Sequence, residues 1–163
     1  MHIAIVGSRK YPFLEDVKRL VRMIAEDDKK QPGFVIVSGG ADGVDITAER
    51  EAIACGLPVV SYRVWQVGPD ECGVEEWHLG AQPYVRKMVE MPTFGSMPHG
   101  EGCSAYEAAL AFRNSLIVER ADRVVAFRAA WSPGTTLAMD FARAYKKPLR
   151  EYGLSDTERL QVA

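Results

Sequence analysis

Cysteine is scarce in this chain: Cys55, Cys72 and Cys103 are the only three in 163 residues. An odd and sparse set excludes a disulfide scaffold and fits a reducing compartment, so a cytoplasmic location is expected. Long apolar runs are missing too. None approaches the roughly 20 residues that a membrane span needs, and no membrane partner is expected. Neither sign of charge predominates, since 20 Lys and Arg face 22 Asp and Glu for a formal net charge of −2. That balance leaves no broad basic field, so nucleic acid is not the expected partner. Internal repeats and low-complexity tracts are also lacking. The opening Met1-His2-Ile3-Ala4-Ile5-Val6 has no charged region ahead of a long apolar stretch, and reads as a strand rather than a signal peptide.

What is present suits one globular domain spanning residues 1–163, with 47% hydrophobic and 26% charged residues and enough chain to bury a core. Ile3 to Val6 is a short apolar run closed by Gly7-Ser8-Arg9, as in a buried strand. From Leu14 to Asp28, apolar residues recur at helical spacing until Gln31-Pro32-Gly33 breaks the pattern. Phe34 to Val37 is a second strand, and a helix from about Val44 to Cys55 follows, with Gly56 as its C-cap. Leu57 to Val60 is a short third strand. This alternation predicts right-handed crossovers on a parallel sheet.

Tyr62 to Ser104 interrupts the pattern. It lacks clean periodicity and reads as a loop-rich insertion with one short helix over about Tyr84 to Met91. Trp65, Trp77, Tyr84 and Phe94 favour burial, so the insertion is expected to pack over one end of the sheet, with Trp65, Trp77 or Tyr84 either lidding a ligand or filling a satellite core. Alternation resumes with a helix from Ala105 to Arg120, a strand from Arg123 to Phe127, a helix from Thr135 to Tyr145 and a strand from Pro148 to Glu151. The tail from Gly153 suits a short terminal helix. The expected fold is α/β: a Rossmann-like, doubly wound, mostly parallel five-stranded sheet with helices on both faces.

In such sheets, ligands bind beyond the carboxyl ends of the strands. Three loops there carry unusual residues. Gly7-Ser8-Arg9-Lys10 offers close backbone approach, a hydroxyl and two cations, which suits a phosphate or carboxylate. Ser38-Gly39-Gly40-Ala41-Asp42-Gly43-Val44-Asp45 brings backbone N–H groups to a helix N-terminus, where a phosphate would rest on Gly39, Gly40 and Gly43. Ser132-Pro133-Gly134-Thr135-Thr136 sets small hydroxylated residues at another helix start. Arg113 and Asn114, mid-helix, either reach the cleft or face solvent. Each motif also has an ordinary structural use, as a turn or a cap. Together they predict an anion-binding cleft.

These same residues carry a resemblance. Gly7-Ser8-Arg9, the run Ser38 to Ala48, Arg113-Asn114, Ala121-Asp122, Gly134-Thr135, Ala142 and Lys147-Pro148 resemble the SLOG superfamily, in this order. That Rossmann-like group includes the DNA-processing protein A (Smf) domain and the Lonely guy phosphoribohydrolases. The look is of its small stand-alone branch, the YspA-type, cpYpsA-related proteins. Met1 to Tyr62 and Ala105 to Glu151 are covered, and Arg63 to Ser104 has no counterpart. The resemblance implies binding of a nucleoside monophosphate, ADP-ribose or an NAD-like ligand, with no cofactor required. It also implies a homodimer or larger assembly. Relatives that cleave an N-glycosidic bond, and the similar deoxyribosyltransferases, carry a glutamate three residues after the Gly-Thr threonine. Here that residue is Ala138. Asp140 lies two positions on, turned through about 200° on a helix, and does not substitute directly.

The leading expectation is therefore a nucleotide-binding or nucleotide-sensing protein contacting Gly7, Ser8, Arg9, Ser38, Gly39, Gly40, Ala41, Gly43, Asp45, Arg113, Asn114, Ser132, Gly134 and Thr135. The alternative is an N-glycoside hydrolase or transferase, which needs an acid for the leaving base and a carboxylate beside the ribosyl centre. Its candidates are Asp45, Glu49, Glu107 and Asp140, with Arg113 orienting the phosphate. A single-stranded DNA-binding module is the third reading, disfavoured by the charge balance and the lack of an aromatic-basic stripe. Cys72, His78, His99 and Cys103 form the one set of zinc-type ligands, but their spacing matches no recognised finger and no metal is expected.

Overall fold

The computed structural model describes residues 1–80, 85–92, 104–129 and 132–153. The element order is β1 (His2–Gly7), α1 (Leu14–Lys30), β2 (Val35–Ser38), α2 (Val44–Ala54), β3 (Val59–Gln66), β4 (Cys72–Leu79), β5 (Val85–Val89), α3 (Ala105–Arg120), β6 (Arg123–Arg128), α4 (Pro133–Ala144) and β7 (Leu149–Gly153). All seven described strands form one sheet in the order β5-β4-β3-β2-β1-β6-β7. β3, β2, β1, β6 and β7 pair in parallel, while β4 and β5 add on in antiparallel fashion.

Alternation along the central strands divides the core. Ile3 and Ile5 of β1 face one layer with Val125 and Phe127 of β6, under Val17, Val21 and Ile24 of α1 and Val44, Ala48 and Ala52 of α2. Ala4, Val6, Val124 and Ala126 face the opposite layer, under Ile117 and Val118 of α3 and Ala138, Met139 and Ala142 of α4. Because both faces of these strands are covered, they read as continuous apolar runs. Every predicted parallel strand and every predicted flanking helix is present, with ends shifted by a few residues.

Three expectations are corrected. The sheet has seven strands rather than five, and residues 62–104 contain a continuation of β3 and an antiparallel pair rather than loop alone. β3 runs on to Gln66 because β4 folds back along its whole length, from Gln66↔Cys72 to Val59↔Leu79. The hydrophobic pattern hides β4 because its two-residue period is carried by polar pairs. Trp77 donates its indole N–H to Glu75 Oε2 at 2.8 Å, and His78 Nε2 lies 2.7 Å from Glu76 Oε1. The helix expected over Tyr84 to Met91 is also overturned, since Val85–Val89 is strand β5. Apolar Val85, Met88 and Val89 mimic helical spacing, but Val85 and Val89 share one face of an edge strand and Met88 stands in solvent. Tyr84 itself, Phe94 and the expected terminal helix beyond Gly153 lie outside the described residues. No described helix is long and apolar enough to cross a membrane.

Candidate functional site

The chain leaves β1 toward β2 on one side and leaves β6 toward β7 on the other, so the neighbouring carboxyl ends of β1 and β6 form a topological switch point. A cavity of about 550 Å³ opens there, within the usual range for small-molecule sites. Its wall brings together much of the predicted set: Gly7, Ser8, Arg9, Ala41, Asp45, Arg113, Asn114, Ser132, Gly134 and Thr135. Lys10 and Ala138 also line it. Ser38, Gly39, Gly40 and Gly43 do not appear in that wall.

The reason lies in the loop between β2 and α2. Asp45, in the first turn of α2 and only 5% exposed, turns its carboxylate back onto the loop. Oδ1 accepts the Gly7 N–H at 3.1 Å and Oδ2 accepts the Gly39 N–H at 3.2 Å. The Gly40 N–H goes to Ser38 Oγ at 3.3 Å. Here the anion at the N-terminus of α2 is the protein's own aspartate. Side chains and backbone also pack against the glycines. A Cβ on Gly39 would lie 2.9 Å from both Arg113 Cζ and Asp45 Oδ2, one on Gly40 would meet Arg63, and one on Gly43 would meet the Arg9 backbone. The glycine spacing is thus accounted for within the fold.

α4 is different. Its first turn has no acidic residue, and its first capping-type bond is the Thr136 N–H to Ser132 O at 3.0 Å. The Gly134 and Thr135 N–H groups precede that bond and sit at the positive end of the helix, on the cavity. Ser132 Oγ donates to Thr135 Oγ1 at 2.6 Å, and Asn114 Nδ2 donates to Gly134 O at 3.4 Å, which ties this turn to α3. Arg9 and Lys10 are exposed at the rim. Cations and amides with no partner among the described residues therefore converge from β1 and α4, an arrangement able to hold a phosphate.

The inner wall has mixed polarity. Arg113 reaches across from α3 and donates through Nη1 to Gly39 O at 2.8 Å. Its Nε is buried with no hydrogen-bond partner among the described residues. Burial pushes the Asp45 carboxyl up to about 6, with Glu49 adding to the rise, while Arg113 and the amides of Gly7 and Ala41 pull it down. Burial likewise lowers the Arg113 guanidinium from its ordinary value, and Asp45 opposes that shift.

The other carboxylates considered for catalysis lie apart from the cavity. Glu49 is 1% exposed and accepts from Ser61 Oγ at 2.5 Å and Arg63 Nη2 at 2.6 Å. Glu107 closes a capping box with Ser104 at the start of α3. Asp140 is exposed and pairs with Arg143 at 3.0 Å. Ala138 presents a methyl to the cavity where cleaving relatives carry glutamate. Trp77 stacks under the Arg63 guanidinium at 4.3 Å, and Trp65 lies across Gly73, so both aromatics serve the sheet rather than the cavity. Cys72 and His78 sit at opposite ends of β4, six residues or about 20 Å apart, too far to share an ion. His99 and Cys103 lie outside the described residues, and no described group of His, Cys, Asp and Glu is arranged to hold a metal.

Sequence reasoning passed over Arg63 and the Glu49–Arg63 pair. The turn Val67-Gly68-Pro69-Asp70-Glu71, closed by the Val67 N–H to Glu71 O at 2.9 Å, was the available hairpin signal that would have placed Arg63 on a strand.

No curated protein matches the chain. Among solved structures, DNA processing protein A from Helicobacter pylori, described for its single-stranded DNA binding mode, superposes with a TM-score of 0.60 at 24% identity. That match covers 93% of this chain but 64% of the other. The protein TM1055 superposes with a TM-score of 0.51 at 20% identity, covering 91% of this chain and 71% of that one. At these identities the likeness is one of fold. A family model described as DNA recombination-mediator protein A matches residues 1–152. The chain belongs to the DNA recombination-mediator protein A family, on the Rossmann-like SLOG fold that its loops and strand order both point to.

Proposed function

We propose that this protein binds a nucleotide or nucleotide derivative in the cavity between β1, α3 and α4, and acts by binding rather than by turnover. The observation that carries this is the convergence of Arg9, Lys10 and the open N-terminus of α4 on one cavity at the switch point. The ligand phosphate rests on the Gly134 and Thr135 amides, with Arg9 and Lys10 closing over it. Ala138 supports binding without cleavage, because a methyl stands at that point of the wall, and the one carboxylate in the wall, Asp45, is already engaged by the Gly7 and Gly39 amides.

Calorimetry against adenosine and guanosine monophosphates, ADP-ribose and NAD tests this reading. Binding is expected for phosphorylated members and not for the free nucleosides. Arg9→Ala, at an exposed position, is expected to weaken it roughly tenfold. Absence of binding across the whole panel would overturn the proposal. Chromatography of the same mixtures is expected to show no free base above the buffer rate.

A second reading, single-stranded DNA binding, is favoured by family membership and by the exposure of Arg9 and Lys10 at the cavity rim. An oligonucleotide competing for the site more strongly than any mononucleotide would select it.

A further inference from the structure

The inner wall of the cavity poses a chemical problem that a phosphate cannot solve. Asp45 is an anion there, so a second anion seated beside it would be repelled. The Asp45 carboxylate takes the backbone N–H groups of Gly7, Gly39 and Ala41, and a carboxylate offers roughly four acceptor sites in all. About one acceptor position is therefore left on a carboxylate that lines the cavity. Beside it, the Arg113 Nε–H is a buried donor with no partner among the described residues. The two groups are neighbours, for Arg113 Cζ and Asp45 Oδ2 both lie 2.9 Å from the same point next to Gly39.

A buried donor and a buried acceptor left open side by side call for a group that does both. An ammonium only donates, and a phosphate dianion only accepts. A hydroxyl donates to the carboxylate and accepts from the guanidinium. Vicinal hydroxyls, as on ribose, supply two such groups at a spacing matched to a carboxylate. We infer that Asp45 and Arg113 together form a sugar-hydroxyl subsite, and that the ligand is a ribonucleotide whose cis-diol faces them. Its phosphate then points outward to Arg9, Lys10 and the start of α4. This inference rests on the nucleotide-binding reading and assigns the end of the cavity which that reading leaves open. It also separates the two readings above, because a DNA strand lacks the 2′-hydroxyl.

The test is calorimetry on the full chain with four ribonucleoside 5′-monophosphates, each beside its 2′-deoxy counterpart. The ribo form of the bound nucleotide is expected to bind about ten- to a hundredfold more tightly, the scale of a hydrogen bond to a charged group. Asp45→Asn is expected to close most of that gap, because the variant replaces an acceptor with a donor. The wild-type ligand series decides the matter even if the variant fails to fold. Equal binding of ribo and deoxy forms would overturn the subsite while leaving nucleotide binding intact. A gap that persists in folded Asp45→Asn would overturn the assignment to Asp45. No binding by any member would remove both readings together.

Discussion

At the residue scale, Asp45 carries consequences that do not depend on any ligand. Its carboxyl titrates near 6 in the fold instead of its ordinary 3.8, so the folded chain holds this proton more tightly than the unfolded chain does. Burial disfavours the charged form, although above pH 6 the anion still predominates. The contribution of Asp45 to stability is therefore intact below about pH 4 and declines as pH rises through 6, by up to about 3 kcal/mol. Thermal melts between pH 4.5 and 7.5 should show wild type losing stability relative to Asp45→Asn across that interval. Parallel curves for the two proteins would refute the burial argument. Gly7 gives a second residue-scale prediction. A Cβ there would sit 2.6 Å from the Val44 side chain, so Gly7→Ala overpacks the contact between β1 and α2. A loss of about 1–3 kcal/mol in denaturant unfolding is expected, and Val44→Ala in the same chain should restore most of it.

At the element scale, two helix N-termini face the same end of the sheet and have opposite fates. α2 brings its own anion in Asp45, whereas α4 opens with Pro133-Gly134-Thr135 and no acid. Under the proposed function, that contrast, one residue type in each first turn, puts the phosphate at α4 rather than at the glycine loop. α2 is held over β3 by buried Glu49 paired with half-buried Arg63, with Ser61 bonded to both and Trp77 beneath the guanidinium. Arg63→Ala leaves Glu49 charged and 1% exposed without its cation, which should cost about 3 kcal/mol in urea unfolding. Adding Glu49→Ala should recover part of that loss. A double variant no better than the sum of the single ones would mean the pair is not coupled. The network was illegible because Ser61, Arg63 and Trp77 meet only once β4 folds back on β3. The Val67–Glu71 turn signals the hairpin, but not which side chains meet across it.

At the scale of the whole molecule, net charge and site charge differ in sign. The chain carries −2 overall, yet Arg9, Lys10 and Arg113 line one cavity against the single carboxylate of Asp45. On the proposed function, that local field serves one phosphate group rather than a polyanion. The salt dependence of binding should be shallow, with a log–log slope of about −1 or less, since each single-strand phosphate neutralised adds about −0.7. Titrations between 50 and 300 mM salt check this. A slope steeper than about −3 with an oligonucleotide would show that several phosphates engage the surface, and would favour the single-stranded DNA reading.

The sequence by itself determined the parallel core and its order of elements. Its buried strands are uninterrupted apolar runs, its helices repeat at their own period, and Gly, Pro and Ser mark the turns between them. It also determined which loops reach the carboxyl end of the sheet, because that follows from strand polarity alone. Only the tertiary structure decided how those loops are used. Whether a glycine amide meets a ligand or an aspartate depends on where a side chain six residues away comes to rest, as Asp45 does against Gly39. Whether Arg113 reaches the cavity or solvent depends on how α3 lies across the sheet from the antiparallel edge to β6. Such contacts join positions far apart in the chain, and local propensity carries no record of them.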